Sequence, residues 1–142
     1  MNLESQVCSL KLARRLKELN VKQDSLFYWF DMEIHKYLFC KYYEQYSKFV
    51  DLDIKDGFSA FSIAELGEIL PDSLCIKGEH PNFFIAKGTQ EENKFTVGYS
   101  TMETSITPFF TEYNEANARA KTLIYLIENQ LFTPEWRKQW ME

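Results

Sequence analysis

Aromatic side chains are the feature of this sequence that most limits how it can fold. The 142 residues include twelve Phe, eight Tyr and three Trp, and aromatic residues make up 16% of the chain. Each ring removes a large apolar area from water when it is buried, so rings dominate both cores and interfaces. A chain of this length is close to the usual size of one domain. We therefore expect a single domain, residues 1–142, with a core rich in rings.

Charge and cysteine content exclude several classes of protein. The net charge of −5 disfavours a general nucleic-acid binder, because neutralising phosphates requires clustered Lys and Arg. Three widely spaced cysteines favour reduced thiols over a disulfide framework. The first residues do not have the pattern of a secretory signal, and no run of 18 apolar residues occurs. We therefore expect a cytoplasmic protein with no membrane association.

Three segments have the apolar periodicity of amphipathic helices. The first follows Ser9, which is suited to be an N-cap. The second covers 63–70, where Ser62 and Glu65 have the spacing of a capping box. The third, which is the strongest, begins after Asn114. These patterns predict three helices that each bury one face.

Four runs between the helices are rich in aromatic and β-branched residues and predict strands. They cover 26–30, 37–43, 83–86 and 95–99. We expect the first two runs to form one antiparallel hairpin and the last two to form another. The second run is ambiguous, because residues 33–50 also repeat apolar side chains near helical spacing and could be a helix instead.

The predicted fold is therefore α+β. We expect a small, mainly antiparallel sheet of two hairpins, packed by three helices in the order α-β-β-α-β-β-α, plus a short C-terminal helix. Residues 101–113, which are rich in Thr and interrupted by Pro108, are a candidate edge strand.

The last ten residues, 133–142, predict the short terminal helix. Thr133 is suited to cap it, and Pro134 is favoured in a first helical turn. Trp136 and Trp140 lie one turn apart on this helix. Two interpretations of this pair remain open. The Trp side chains pack onto the core, or, because chain ends are often weakly ordered, residues 133–142 are a peripheral tail helix. If that helix finds no groove within the molecule, its Trp pair is an exposed apolar patch of the kind that marks a binding or dimer surface.

Three segments also resemble a known group of proteins. They are CSLKLARRLKEL (8–19) running into LFYW (26–29), SAFSIAELGEILP (59–71), and NEANARAK (114–121) continued to residue 131. Together they resemble small uncharacterised proteins from prophage and mobile-element regions of Bacteroidetes-like bacteria. The resemblance covers about half of the chain and follows the three helices. It implies a related fold and a phage-type setting, and it supplies no catalytic residue.

The sequence contains little that predicts chemistry. His35 and His80 have no second His or Cys at metal-ligand spacing. The acidic stretch 51–57 lacks the alternation and the final Glu of a calcium loop. The segment 63–70 is similar to the first helix of a helix-turn-helix, but Pro71 and the residues after it do not continue that motif. We expect no metal, no cofactor and no sequence-specific DNA binding.

We therefore expect a non-catalytic protein that binds a protein or ribonucleoprotein partner. One specific form is an inhibitor of a host defence system, similar to an anti-CRISPR protein. Aromatic residues and Arg are the types that most often dominate interface energies. The predicted partner-binding residues are Tyr42, Tyr43, Tyr46, Trp136 and Trp140, with Arg14 and Arg15 as a secondary charged contact.

Two alternatives remain open at this stage. The first is a small enzyme whose site is assembled from dispersed residues, such as Asp72, Cys75, Glu79 and His80. The second is a structural homodimer in which the Trp-containing tail is swapped or paired. Converging polar groups in a pocket would favour the enzyme.

Overall fold

The computed structural model describes residues 2–32, 35–40, 54–88 and 93–142, which form an α+β fold as predicted. The helices and strands, in chain order, are α1 Leu10–Glu18, β1 Phe27–Met32, β2 His35–Cys40, β3 Phe58–Ser59, α2 Ile63–Ile69, β4 Asn82–Lys87, β5 Phe95–Ser100, β6 Phe110–Glu112, α3 Glu115–Glu128 and α4 Pro134–Trp140. Short 3-10 turns cover Leu3–Ser5 and Ile54–Asp56.

The strands form two antiparallel sheets of three strands, in the orders β2-β1-β3 and β4-β5-β6. Both predicted hairpins are present. The prediction of one sheet is wrong, because the two hairpins lie in separate sheets and each gains a third strand. β6 lies within 101–113, the candidate edge strand. β3 has only two residues, which is too short for a periodic pattern to reveal.

The ambiguous segment is a strand where the structure describes it. His35–Cys40 pairs along its whole length with Phe27–Met32. Residues 41–50 lie outside the described residues, and with them Tyr42, Tyr43 and Tyr46.

Local capping explains where the helices begin. The Oγ atoms of Ser9 and Ser62 accept hydrogen bonds from the first turns of α1 and α2, and Glu65 completes the predicted capping box. The Glu65 carboxylate also accepts bonds from the Leu26 N–H and the Ser25 hydroxyl. It therefore fixes the start of β1 against α2.

Helix α3 is central to the core. It packs against α1, α2, β5 and β6. Its buried side chains include Ala116, Ala120, Leu123 and Leu126. Small residues along this stripe let neighbouring elements approach closely, while the leucines fill the space between them. Among the described residues, no helix is both long enough and apolar enough to cross a bilayer.

The C-terminal helix is part of the same core, which corrects the expectation for Trp136. Its side chain is only 8% exposed and lies against the Phe132 ring, with 4.5 Å between centroids. The Trp136 Nε1–H donates to the Ile69 carbonyl oxygen at 2.6 Å. Val21 bridges to Met141, so the end of α4 is also tied to the residues after α1. Trp136 thus packs inside the molecule and offers no exposed ring to a partner.

This packing predicts a stability loss when the indole N–H of Trp136 is removed. We expect Trp136→Phe to lower the free energy of unfolding by about 1–3 kcal/mol, because the buried Ile69 carbonyl loses its donor. Trp140→Phe is the matched control, since Trp140 is only half-buried. Urea denaturation measures both. Equal and negligible effects would show that α4 is peripheral after all.

Candidate functional site

A cleft of about 550 Å³ lies between α1 and α3, beside β6. We call it the α1–α3 cleft. Its volume is within the range of about 300–1,000 Å³ that is usual for ligand sites. Its lining consists of Lys11, Leu12, Arg14, Arg15 and Glu18 from α1, Phe110 from β6, and Lys121, Ile124, Tyr125 and Glu128 from α3.

The floor of the cleft is apolar. Leu12 from α1 and Ile124 from α3 both line it and are only partly buried. Phe110 and Tyr125 complete the floor, with their ring centroids 6.3 Å apart. Leu12 and Ile124 pack against the buried core and lie at its edge. A ligand or partner could therefore remove more apolar surface from water here without any rearrangement of the core.

One end of the cleft is held by two asparagines, which we call the asparagine clamp (Asn114 and Asn117). Asn114 caps α3 through its Oδ1, and its Nδ2 donates to the Val7 carbonyl at 2.9 Å. Asn117 Oδ1 accepts the backbone N–H of Ser9, the N-cap of α1, at 2.8 Å. The two helix N-termini are thereby fixed to each other by side chains from one helix.

The other end of the cleft is held by charge. Arg15 binds the Glu128 carboxylate, with 3.0 Å between Nη2 and Oε1, and Glu18 on its own helix at 3.3 Å. The hydrogen bond to Glu128, followed by that to Glu18, raises the pKa of the Arg15 guanidinium above its ordinary value. These partners are solvent-exposed, so the pair contributes little to stability and mainly orients the side chains.

The basic residues along the rim differ in how strongly they are held. Arg14 pairs with Asp31 at 2.6 Å, and its guanidinium carbon lies 5.2 Å from the centre of the Phe58 ring. Lys121 pairs with Glu112. Lys11 is exposed and has no ion-pair partner among the described residues. An acidic group of a partner could therefore pair with Lys11 without displacing an ion-pair partner from the described residues.

The structure thus joins part of the predicted site to residues that sequence reasoning missed. Arg14 and Arg15, predicted as a secondary charged contact, form the rim of the cleft. Trp136 is buried, and Trp140 lines a different depression beside α2. The floor residues were missed because the sequence assigns Leu12 and Ile124 to the buried stripes of their helices. Only the packing of α1 against α3 shows that Leu12 and Ile124 line an open cleft.

The residues of the alternative enzyme site lie around one turn after α2. Asp72, Cys75, Glu79 and His80 are all exposed, and no hydrogen bond between their side chains occurs within the described residues. In the described part of the chain, no His, Cys, Asp and Glu side chains group so that they could hold a metal ion. Burial raises the pKa of the Cys8 thiol to about 12, which makes it a poor nucleophile.

Comparison with known proteins adds no assignment. No protein-family model matches this chain, and no curated protein or solved structure matches it significantly. The cleft must therefore be interpreted from its own geometry.

The asparagine clamp predicts a specific pattern of stability. We expect Asn117→Ala to lower the free energy of unfolding by about 1–2 kcal/mol, because the Ser9 N–H loses its acceptor. Asn117→Asp keeps an acceptor oxygen, and a carboxylate is favourable in the first turn of a helix. It should stay within about 0.5 kcal/mol of the parent protein.

Chemical denaturation of the two variants measures this difference. If the aspartate variant is destabilised as much as the alanine variant, or if neither differs from the parent, the hydrogen bond to Ser9 does not hold the helices together.

Proposed function

We propose that this protein is a non-catalytic binding protein that receives a partner protein in the α1–α3 cleft. The observation that carries the proposal is an apolar floor, open to solvent, beneath a rim of charged side chains. Apolar side chains of a partner would gain by leaving water at this floor. The charged rim would then select the partner and its orientation.

The rim also indicates the chemistry of the partner. The lining contains four basic residues and two acidic ones, whereas the whole chain has a net charge of −5. A partner segment with acidic groups next to apolar side chains fits this arrangement. Two helices forming the walls of a groove are suited to an amphipathic helix, which presents its apolar side chains along one face.

The biological setting is a narrower part of the same proposal. We place the protein in a phage-type setting, which a relation of its three helical segments to prophage and mobile-element proteins would imply. An inhibitor of a host defence system would act by occupying a surface of its target, which requires binding without chemistry. A ribonucleoprotein target is compatible with this role, provided that the contact is made through its protein component.

Charge reversal at the rim tests the proposal. We expect Lys11→Glu combined with Arg14→Glu to weaken partner binding at least about tenfold, because buried or close charge pairs at interfaces cost several kcal/mol when reversed. Lys138→Glu combined with Lys22→Glu is the matched control, since it makes the same change in net charge at exposed positions outside the cleft.

The measurement has two steps. Proteins captured from a bacterial lysate by the parent and by both variants are first compared by mass spectrometry. A protein that the parent and the control retain, and that the rim variant loses, is then purified and titrated by calorimetry. The proposal fails if every captured protein binds the rim variant as tightly as the parent, or if nothing is captured at all.

A further inference from the structure

Within the described part of the chain, the outer edge of β4 has backbone groups without hydrogen-bond partners. The Gly88 N–H donates to the Lys94 carbonyl at 2.8 Å, which sets the alternation along this strand. Residues 82, 84 and 86 therefore direct their backbone groups at β5, and residues 83, 85 and 87 direct theirs outward. The Phe83 N–H follows this rule, since it donates outward to the Asp72 carbonyl at 2.8 Å.

The open window is short and well defined. Asp72 and the bridge between Ser73 and Asn82 cover the first part of the edge. Beyond them, the outward N–H and carbonyl groups of Ile85 and Lys87 bond to no described residue. Ile85 is 40% exposed. An unpaired edge of this kind is a template for another strand.

The sheet face next to this edge is apolar. Phe84 stacks on Phe109, with 5.5 Å between ring centroids, and the two rings are 40% and 42% exposed. Phe109 lies directly on Gly98, where a Cβ would come within 2.1 Å of the ring. The glycine therefore allows Phe109 to lie flat on the sheet. Ala86 has the same strand parity as Phe84, so it continues this apolar strip to the edge.

We propose that two copies of this chain associate by antiparallel pairing of their β4 edges, about a twofold axis at Ala86. Ile85 of one copy then lies opposite Lys87 of the second copy, and each such pair exchanges both backbone bonds. The pairing supplies about four new hydrogen bonds and joins the β4-β5-β6 sheets of the two copies into one continuous sheet.

The sequence of β4 fits a second copy in three ways. Ala86 meets its own equivalent at the non-hydrogen-bonded position, where strands approach most closely and a small side chain is needed. Lys87 does not face a like charge, because its direct neighbour is Ile85. The ammonium group of Lys87 lies 5.5 Å from the centre of the Phe95 ring on β5, so the charge is directed toward its own sheet and away from the pairing edge. The strip of Phe109, Phe84 and Ala86 then continues across the axis.

Sedimentation velocity of the full chain over a range of concentrations tests the proposal. We expect a concentration-dependent dimer. Ala86→Lys should raise its dissociation constant at least about tenfold, because two like charges then face each other at the axis. Asn82→Lys is the matched control, since it adds the same charge to the same strand and face, outside the open window. It should leave the dissociation constant unchanged.

A second variant and a second measurement guard against misfolding. Lys87→Pro removes an outward N–H that bonds to no described residue and the contact of the lysine with the Phe95 ring, but no backbone bond to β5. It should therefore keep the pairing with β5 and abolish the dimer. In the parent protein, amide exchange at Ile85 and Lys87 should slow as concentration rises. A strict monomer at high micromolar concentration overturns the proposal. So does a dimer that persists unchanged in both Ala86→Lys and Lys87→Pro.

Discussion

The hydrogen bond from the Ser9 N–H to Asn117 Oδ1 is the contact on which the arrangement of α1 and α3 depends. The first N–H groups of a helix have no acceptor within the helix, so they bond to side chains, water or other groups outside it. Here Asn114 serves α3 as a cap and also binds the Val7 carbonyl, which precedes α1. Two side chains thus satisfy backbone groups of both helices. Hydrogen bonds are directional, whereas apolar packing is not. These bonds therefore define the position of α1 relative to α3 more strictly than apolar packing alone would.

With α1 held in this position, the helices and both sheets share one core, and the cleft between α1 and α3 remains open to solvent. α3 buries its alanine and leucine stripe against α1, α2 and the second sheet, and Trp29 fixes β1 to the same core by donating its Nε1–H to the Cys8 carbonyl at 2.8 Å. Between α1 and α3, no further side chain of the described residues fills the cleft. The cleft lies between two helices that the asparagine clamp joins at one end and the Arg15–Glu128 ion pair joins at the other.

Sequence reasoning was most successful where a local pattern determines structure. The capping residues Ser9, Ser62 and Asn114 start helices as predicted, and both hairpins form. It was less successful where the outcome depends on contacts between distant segments. β3 forms only because β1 offers an edge to two residues, and Trp136 is buried because the Ile69 carbonyl lies within reach of its indole. Neither partner can be identified from the local sequence.

The candidate site shows the same division. Arg14 and Arg15 could be selected from the sequence because they form a basic group on a helix, yet nothing local distinguishes Leu12 from the buried leucine at position 16. Both lie on the same helical stripe, but Leu12 lines the cleft between α1 and α3 whereas Leu16 is buried. The aromatic side chains follow this rule too. Phe110 and Tyr125 line the cleft while Tyr99 is sealed in the core.

Amide hydrogen exchange at Ser9 tests most directly whether the asparagine clamp fixes α1 against α3. Ser9 precedes α1, so its N–H has no acceptor within that helix. It donates instead to Asn117 Oδ1. If the clamp holds, the Ser9 amide exchanges as slowly as core amides of α3, such as that of Leu123, because both then open only on global unfolding. Exchange as fast as that of the exposed loop residue Glu103 would contradict it.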